Sequence, residues 1–315
     1  MMSLLRFRLT MLLAAFCVAG SGASAGAQVA PVWQPPAGHK TLSLWPHGAP
    51  GNPPSPGPEM DTDKPTDELY GGKHITRLTN VSEPAITIFE PPADKRTGVA
   101  VLVFPGGSYK VLAIDKEGTE ICEWLNSIGI TGILLKYRVP DSGPYPKSNV
   151  AYEDGQRAVG LVRAHAAEWQ IDPHRIGVVG FSAGAHLAAV LSNLCAKRVY
   201  APVDAADDVS CRPDFAMIIY PGWLESPDKP LAPNPAIPID PSGPPAFLVQ
   251  AENDYAAHVE SSITYFLALK NAKVPAELHI YSDGGHGFGM RAIGKPIVHW
   301  GQLAETWLHT IGVLK

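Results

Sequence analysis

The sequence is short of charge: Asp, Glu, Lys and Arg make up only 17% of its 315 residues. No block or stripe of Lys and Arg appears, which excludes an electrostatic nucleic-acid footprint. Cysteine is scarce, at four residues, and none stands in a C-x-x-C pair. H-E-x-x-H is missing as well, so the pattern requires no metal. Neither the G-x-x-x-x-G-K-[ST] phosphate loop nor the G-x-G-x-x-G dinucleotide fingerprint occurs, so no cofactor is implied. What is present is apolar: 45% of residues are hydrophobic and the formal charge is −5. That suffices for one large α/β domain or two small ones.

Residues 1–27 read MMSLLRFRLTMLLAAFCVAGSGASAGA. Arg6 and Arg8 precede an apolar run at 9–19, and small residues including Ala23-Ser24-Ala25 follow. This is the pattern of a secretory signal peptide, and the run is too short to cross a bilayer. Cleavage is expected after Ala25 or Ala27. The mature chain is then secreted or periplasmic, with no membrane attachment. Cys17 leaves with the leader. Cys195 and Cys211 flank a polar loop and are candidates for a disulfide in an oxidising compartment. Cys122 lies in an apolar helical pattern, which predicts a buried thiol.

Residues 28–80 are rich in Pro and Gly, around APGNPPSPGPEMD, and read as an extended arm. From 81 to 315, short β-rich runs alternate with helical patterns. The runs lie at 85–90, 99–104, 132–137, 175–180, 215–220, 246–250 and 276–281. The helical patterns lie at 115–128, 150–168, 183–195, 258–271 and 297–313. Strand–helix alternation predicts a mostly parallel central sheet with helices on both faces. Two long connections, 196–214 and 222–245, have the length of lids or rims.

The most specific signal is RIGVVGFSAGAHLAAVL. An apolar strand ends in Gly180-Phe181-Ser182-Ala183-Gly184 and a small-residue helix follows at once. G-x-S-x-G in that setting presents the serine on a turn too sharp for bulk two residues to either side. Serine needs a base, and the base needs an orienting acid. His286 sits in a glycine-rich loop, YSDGGHGFGM, after the last strand; His258 is its competitor. Asp254 follows the preceding strand in QAENDYAAH, with Glu252 as runner-up.

Attack on a carbonyl develops negative charge on oxygen, which preorganised N–H donors stabilise. One donor is the amide after the nucleophile, Ala183. The other is expected from VLVFPGGSYK at 101–110, where an apolar strand runs into Gly106-Gly107. The amide of Gly107 or that of Ser108 is the candidate.

Ser182 in GFSAG, Asp254, His286 in GGHGF and the PGGSY loop resemble the α/β-hydrolase superfamily. PGGSYKVLAIDKEGTEICEWLNSIGITGILLKYRVP, SLWPHGAPG and RPDFAMIIYPG are similar to bacterial secreted esterases related to acetyl xylan esterases. The resemblance covers roughly residues 40–313 and implies an α/β-hydrolase catalytic domain over 81–315. It also implies hydrolysis of short acyl esters, acetyl on plant polysaccharide foremost, through an acyl-Ser182 intermediate. Pro105 stands where HGGG-type loops carry His, and Ser108 replaces a third glycine. The resemblance does not imply glycosidic cleavage, which uses two carboxylates flanking the bond. Tyr109, Lys110 and Tyr220 lie just beyond strand ends and are candidates to line the substrate pocket. Trp223 offers a flat face for a sugar ring. The expected partner is an acylated carbohydrate or another small ester, feruloyl esters included. A serine exopeptidase of the prolyl-oligopeptidase type is the alternative, although this length leaves no room for a propeller.

Overall fold

The apolar runs form an eight-stranded sheet. A computed structural model describes residues 33–51 and 57–315, and the leader expected at 1–27 lies outside them. In chain order the first strands are β1 (Lys40–Ser43), β2 (Met60–Asp61), β3 (Arg77–Thr79), β4 (Ala85–Phe89), β5 (Ala100–Phe104) and β6 (Leu112–Ala113). After these come β7 (Thr131–Lys136), β8 (Ile176–Phe181), β9 (Ala216–Ile219), β10 (Ala246–Ala251) and β11 (Ala276–Tyr281). The helices are α1 (Glu120–Ser127), α2 (Val150–Ala164), α3 (Ala183–Leu194), α4 (Val259–Asn271) and α5 (Trp300–Thr310).

The main sheet runs β1-β4-β7-β5-β8-β9-β10-β11. From β7 to β11 every pairing is parallel; β1 and β4 join antiparallel at one end. All residues of β5 and β8 are buried, so both faces of the sheet are covered there. The helix expected from 115 begins instead as a π-helical turn, Asp115–Thr119, before α1. Such turns cluster at functional sites.

The described part of the Pro/Gly-rich segment is not a free arm. β1 pairs with β4 in register Lys40↔Ile88, and β2 and β3 join β6 in a small antiparallel sheet. Two buried polar groups of α2 hold the stretch after β1. Trp45 Nε1 donates to Asp154 at 2.8 Å, and Arg157 Nε donates to the Leu44 carbonyl at 3.0 Å. Asp154 also accepts from the Arg138 amide at 2.9 Å and from Arg138 Nε at 3.0 Å. Burial raises the Asp154 carboxyl above its ordinary pKa, against the pull of Arg138. Removing a buried charge that satisfies this many donors costs about 3–5 kcal/mol. Asp154→Ala is expected to lose that much in urea unfolding; a loss below ~1 kcal/mol would show the arm anchored elsewhere.

The long 196–214 loop is pinned rather than lid-like. Arg157 pairs with Asp204 at 2.7 Å and Asp207 at 3.2 Å. The disulfide considered between Cys195 and Cys211 is not formed. Both are buried free thiols, with Cys211 Sγ donating to the Cys195 carbonyl at 3.4 Å and Arg212 Nε donating to Cys195 Sγ at 3.3 Å. Cys122 is a buried free thiol, and burial pushes its pKa well up.

Candidate active site

Ser182 stands between β8 and α3 at φ 51°, a left-handed conformation that costs of order 1–3 kcal/mol for a non-glycine residue. Two glycines make the turn possible. A Cβ on Gly180 would overlap the Gly184 carbonyl, and one on Gly184 would overlap the carbonyl of Phe104 at the end of β5. The Ser182 amide donates to the Ile219 carbonyl at 3.0 Å, tying the turn to the end of β9.

Ser182 Oγ lies 2.9 Å from His286 Nε2, and His286 Nδ1 lies 2.8 Å from Asp254 Oδ2. A carboxylate only accepts, so the imidazole proton sits on Nδ1 and Nε2 is free to accept from Ser182. Asp254 is fixed in turn: Oδ1 accepts the Ala256 and Ala257 amides at 2.9 Å each, and Gln250 Nε2 donates to Oδ2 at 3.0 Å. Asn253 Oδ1 holds the start of the histidine loop through the amides of Gly284 (3.0 Å) and Gly285 (2.9 Å). Glu252 and His258, the competing acid and base, are exposed, and neither hydrogen-bonds to the serine or to His286.

Burial alone would raise the Asp254 carboxyl, but hydrogen bonds from His286 and the Ala257 and Ala256 amides hold it below the ordinary carboxylate range. Its folded pKa thus lies below its unfolded one. The stabilisation is complete above about pH 4 and fades as pH falls through the depressed folded value. Asp254→Asn is therefore expected to be less stable than wild type at neutral pH, with the gap closing in acid. Urea midpoints at several pH values check this; a gap independent of pH would remove the charge from the account.

In the PGGSY loop, Gly107 has φ +135°, and a Cβ there would overlap the Val111 carbonyl. The Gly106 amide is occupied, donating to Glu117 Oε2 at 2.8 Å. Among the described residues, no acceptor engages the amides of Gly107, Ser108 or Ala183. The loop packs directly on the elbow: a Cβ on Gly106 would lie 3.0 Å from Ser182 Cβ.

The cleft over Ser182 measures about 670 Å³ and is lined by Ser108, Trp223, Lys147, His258 and His286, among others. Of the four sequence-derived pocket candidates, the structure brings only Trp223 to it, 40% exposed. Lys110 is exposed but lines no part of the cleft. Tyr109 and Tyr220 are buried, Tyr109 in the loop after β5 and Tyr220 directly after β9, both with left-handed backbone at φ 58° and 40°. Tyr109 lies under Trp223 at 5.9 Å between ring centroids, and its hydroxyl meets His186 Nδ1 at 2.9 Å. Burial drives His186 down to a pKa of about 3, so the ring is neutral. Tyr220 instead donates its hydroxyl to Glu117 Oε1 at 3.0 Å.

Sequence reasoning missed Gln250, Asn253, His186 and Glu117. Gln250 left one trace, a lone polar residue near the end of an apolar strand. Among the described residues, no cluster of three or more His, Cys, Asp or Glu could hold a metal ion, and no helix is long and apolar enough to cross a membrane.

Two family models match the chain. The prolyl oligopeptidase family covers residues 151–308 and BD-FAE covers residues 86–210. An acetylxylan esterase of Xylanibacter ruminicola is 28% identical over 239 residues, 69% of this chain and 46% of that protein. Endo-1,4-beta-xylanase B of Butyrivibrio fibrisolvens is 28% identical over 205 residues, 59% of this chain and 32% of that protein. The chain thus spans less than half the length of these curated relatives. A solved acetyl ester-xyloside bifunctional hydrolase of Caldicellulosiruptor lactoaceticus is 30% identical with TM-score 0.65, over 88% of this chain and 97% of that one.

Proposed function

We propose that this chain, which belongs to the prolyl oligopeptidase family of α/β hydrolases, is a secreted serine esterase that removes short acyl groups, acetyl foremost, from plant polysaccharide such as xylan. The observation that carries the reading is the Ser182–His286–Asp254 relay, with bonds of 2.9 and 2.8 Å, opening on a cleft that Ser182, His286 and Ser108 line.

The mechanism follows from that geometry. Ser182 Oγ attacks the ester carbonyl while His286 Nε2 takes its proton. The carbonyl oxygen becomes an oxyanion, held by the Ala183 amide and by that of Gly107 or Ser108. Collapse breaks the ester C–O bond, and His286 returns the proton to the departing sugar hydroxyl. Water then attacks acyl-Ser182 by the same route and releases the acid. Asp254 keeps the imidazole in its Nδ1–H tautomer and balances its transient positive charge.

The polysaccharide assignment rests on the acetylxylan esterase and acetyl ester-xyloside hydrolase relatives and on Trp223 at the cleft. An exposed indole beside the nucleophile suits stacking on a sugar ring. Trp223→Ala is expected to raise KM about tenfold for acetylated xylo-oligosaccharide, equivalent to ~1.4 kcal/mol, and to leave p-nitrophenyl acetate nearly unaffected. Equal effects on both substrates would take Trp223 out of sugar recognition.

The decisive experiment measures acids released from acetylated xylan, a feruloylated glycan and simple esters. Acetate release well above the other rates is expected. Faster cleavage of dipeptidyl amides would favour the exopeptidase reading, which the family match at 151–308 keeps in play. Export rests on the leader pattern, and a mature N-terminus beginning after Ala25 or Ala27 would support it.

A further inference from the structure

We propose that Glu117 is the positioning residue that holds the oxyanion-donor loop and the histidine loop in one fixed arrangement around Ser182. The inference rests on the esterase reading above. Glu117 lies in the π-helical turn ahead of α1, where it is 4% exposed, with its neighbour Lys116 at 6%. A buried carboxylate at this depth must be fully engaged to be tolerated. Its partners are the Gly106 amide of the donor loop, the Tyr220 hydroxyl and the neighbouring Lys116 ammonium, none of them bulk water.

Oε2 accepts the Gly106 amide at 2.8 Å, the residue just before the Gly107 and Ser108 donors. Occupying that amide orients the peptide chain that presents the next two. Oε1 accepts the Tyr220 hydroxyl at 3.0 Å, and the Tyr220 oxygen in turn accepts the Gly289 amide at 3.3 Å. The Tyr220 ring also stands edge-on to His286, with centroids 5.2 Å apart. Lys116 Nζ pairs with Glu117 Oε1 at 3.3 Å and donates to the Gly287 carbonyl at 2.6 Å, one residue past His286. One carboxylate therefore reaches the donor loop directly and the base loop by two routes.

Lys116 has a second use. A bare carboxylate beside a developing oxyanion would oppose it; the paired ammonium cancels most of that field. A glutamine at 117 would keep an acceptor for Gly106. Its amide hydrogens, however, would face the Lys116 ammonium, which can only donate, so that link to the base loop would break, and the Tyr220 hydroxyl could be met only by reversing the bond's direction.

The test uses Glu117→Gln in the full-length protein. Active sites are counted by fluorophosphonate labelling to completion, and turnover of p-nitrophenyl acetate is expressed per labelled site. Turnover per site, and the rate of labelling itself, are expected to fall about 10- to 100-fold while KM stays within about twofold. Affinity for a boronic acid, which forms a tetrahedral adduct on serine, should fall in parallel. A residue that only stabilised the fold would lower the number of labelled sites and leave turnover per site intact, and that result would overturn the proposal. If Glu117→Gln does not fold, Tyr220→Phe removes one arm of the network and should show the same split, smaller in size; wild-type turnover per site there would overturn it equally. Wild-type protein that labels but hydrolyses no ester would sink the esterase reading, while the labelling rates would still judge Glu117. Wild-type protein that does not label would sink both.

Discussion

Ser182→Ala is expected to lower ester turnover by about 10⁴- to 10⁶-fold with the fold retained. The loss is large because the relay has no substitute nucleophile. His286 Nε2 reaches Ser182 Oγ at 2.9 Å, and neither His258 nor Glu252 hydrogen-bonds to the relay to replace a member. The residual rate would come from the unpartnered amides, which still polarise a bound carbonyl. Only the Oγ is removed, so the left-handed turn keeps the backbone it has. The check is kcat on p-nitrophenyl acetate alongside far-UV circular dichroism. A variant that folds and keeps even a tenth of wild-type turnover would rule out a Ser182 acyl-enzyme.

Gly184→Ala is expected to destabilise the fold by about 3 kcal/mol and to depress activity with it. Its Cβ would overlap the Phe104 carbonyl and lie 2.7 Å from the Pro105 carbonyl. Both obstacles are backbone, so no side chain can swing aside. The start of α3 would have to retreat from the end of β5, and with it the contact between the donor loop and the elbow. Thermal unfolding and kcat should fall together. If both were unchanged, the close approach of α3 to β5 would not be what shapes the elbow.

The parts of this molecule that were legible in the sequence are those whose cause is local. β5 and β8 are buried at every position and read as unbroken apolar runs. The elbow was legible because two glycines and a serine at fixed spacing have a steric reason to coexist. β1 was not. KTLS at the sheet edge is largely exposed, lies in a Pro/Gly-rich segment, and takes its pairing from β4. The π-helical turn was not, since its pattern differs from α-helix by one residue. Tyr109 and Tyr220 were placed correctly along the chain and incorrectly in space, because their hydroxyls find partners inside the fold, at His186 and Glu117, that lie 77 and 103 residues away. Glu117 was invisible for another reason: its partners lie 11 and 103 residues away, and one of them is a bare amide.

The arm around β1 also bears on when the chain can finish folding. Leu44 and Trp45 bind groups 113 and 109 residues further on, at Arg157 and Asp154. At ordinary rates of synthesis those receptors appear on the order of ten seconds after the arm itself. The arm is thus among the last parts of the fold to dock. Until it does, β4 keeps an open edge of unpaired amides and carbonyls, the surface on which nascent chains most readily join one another.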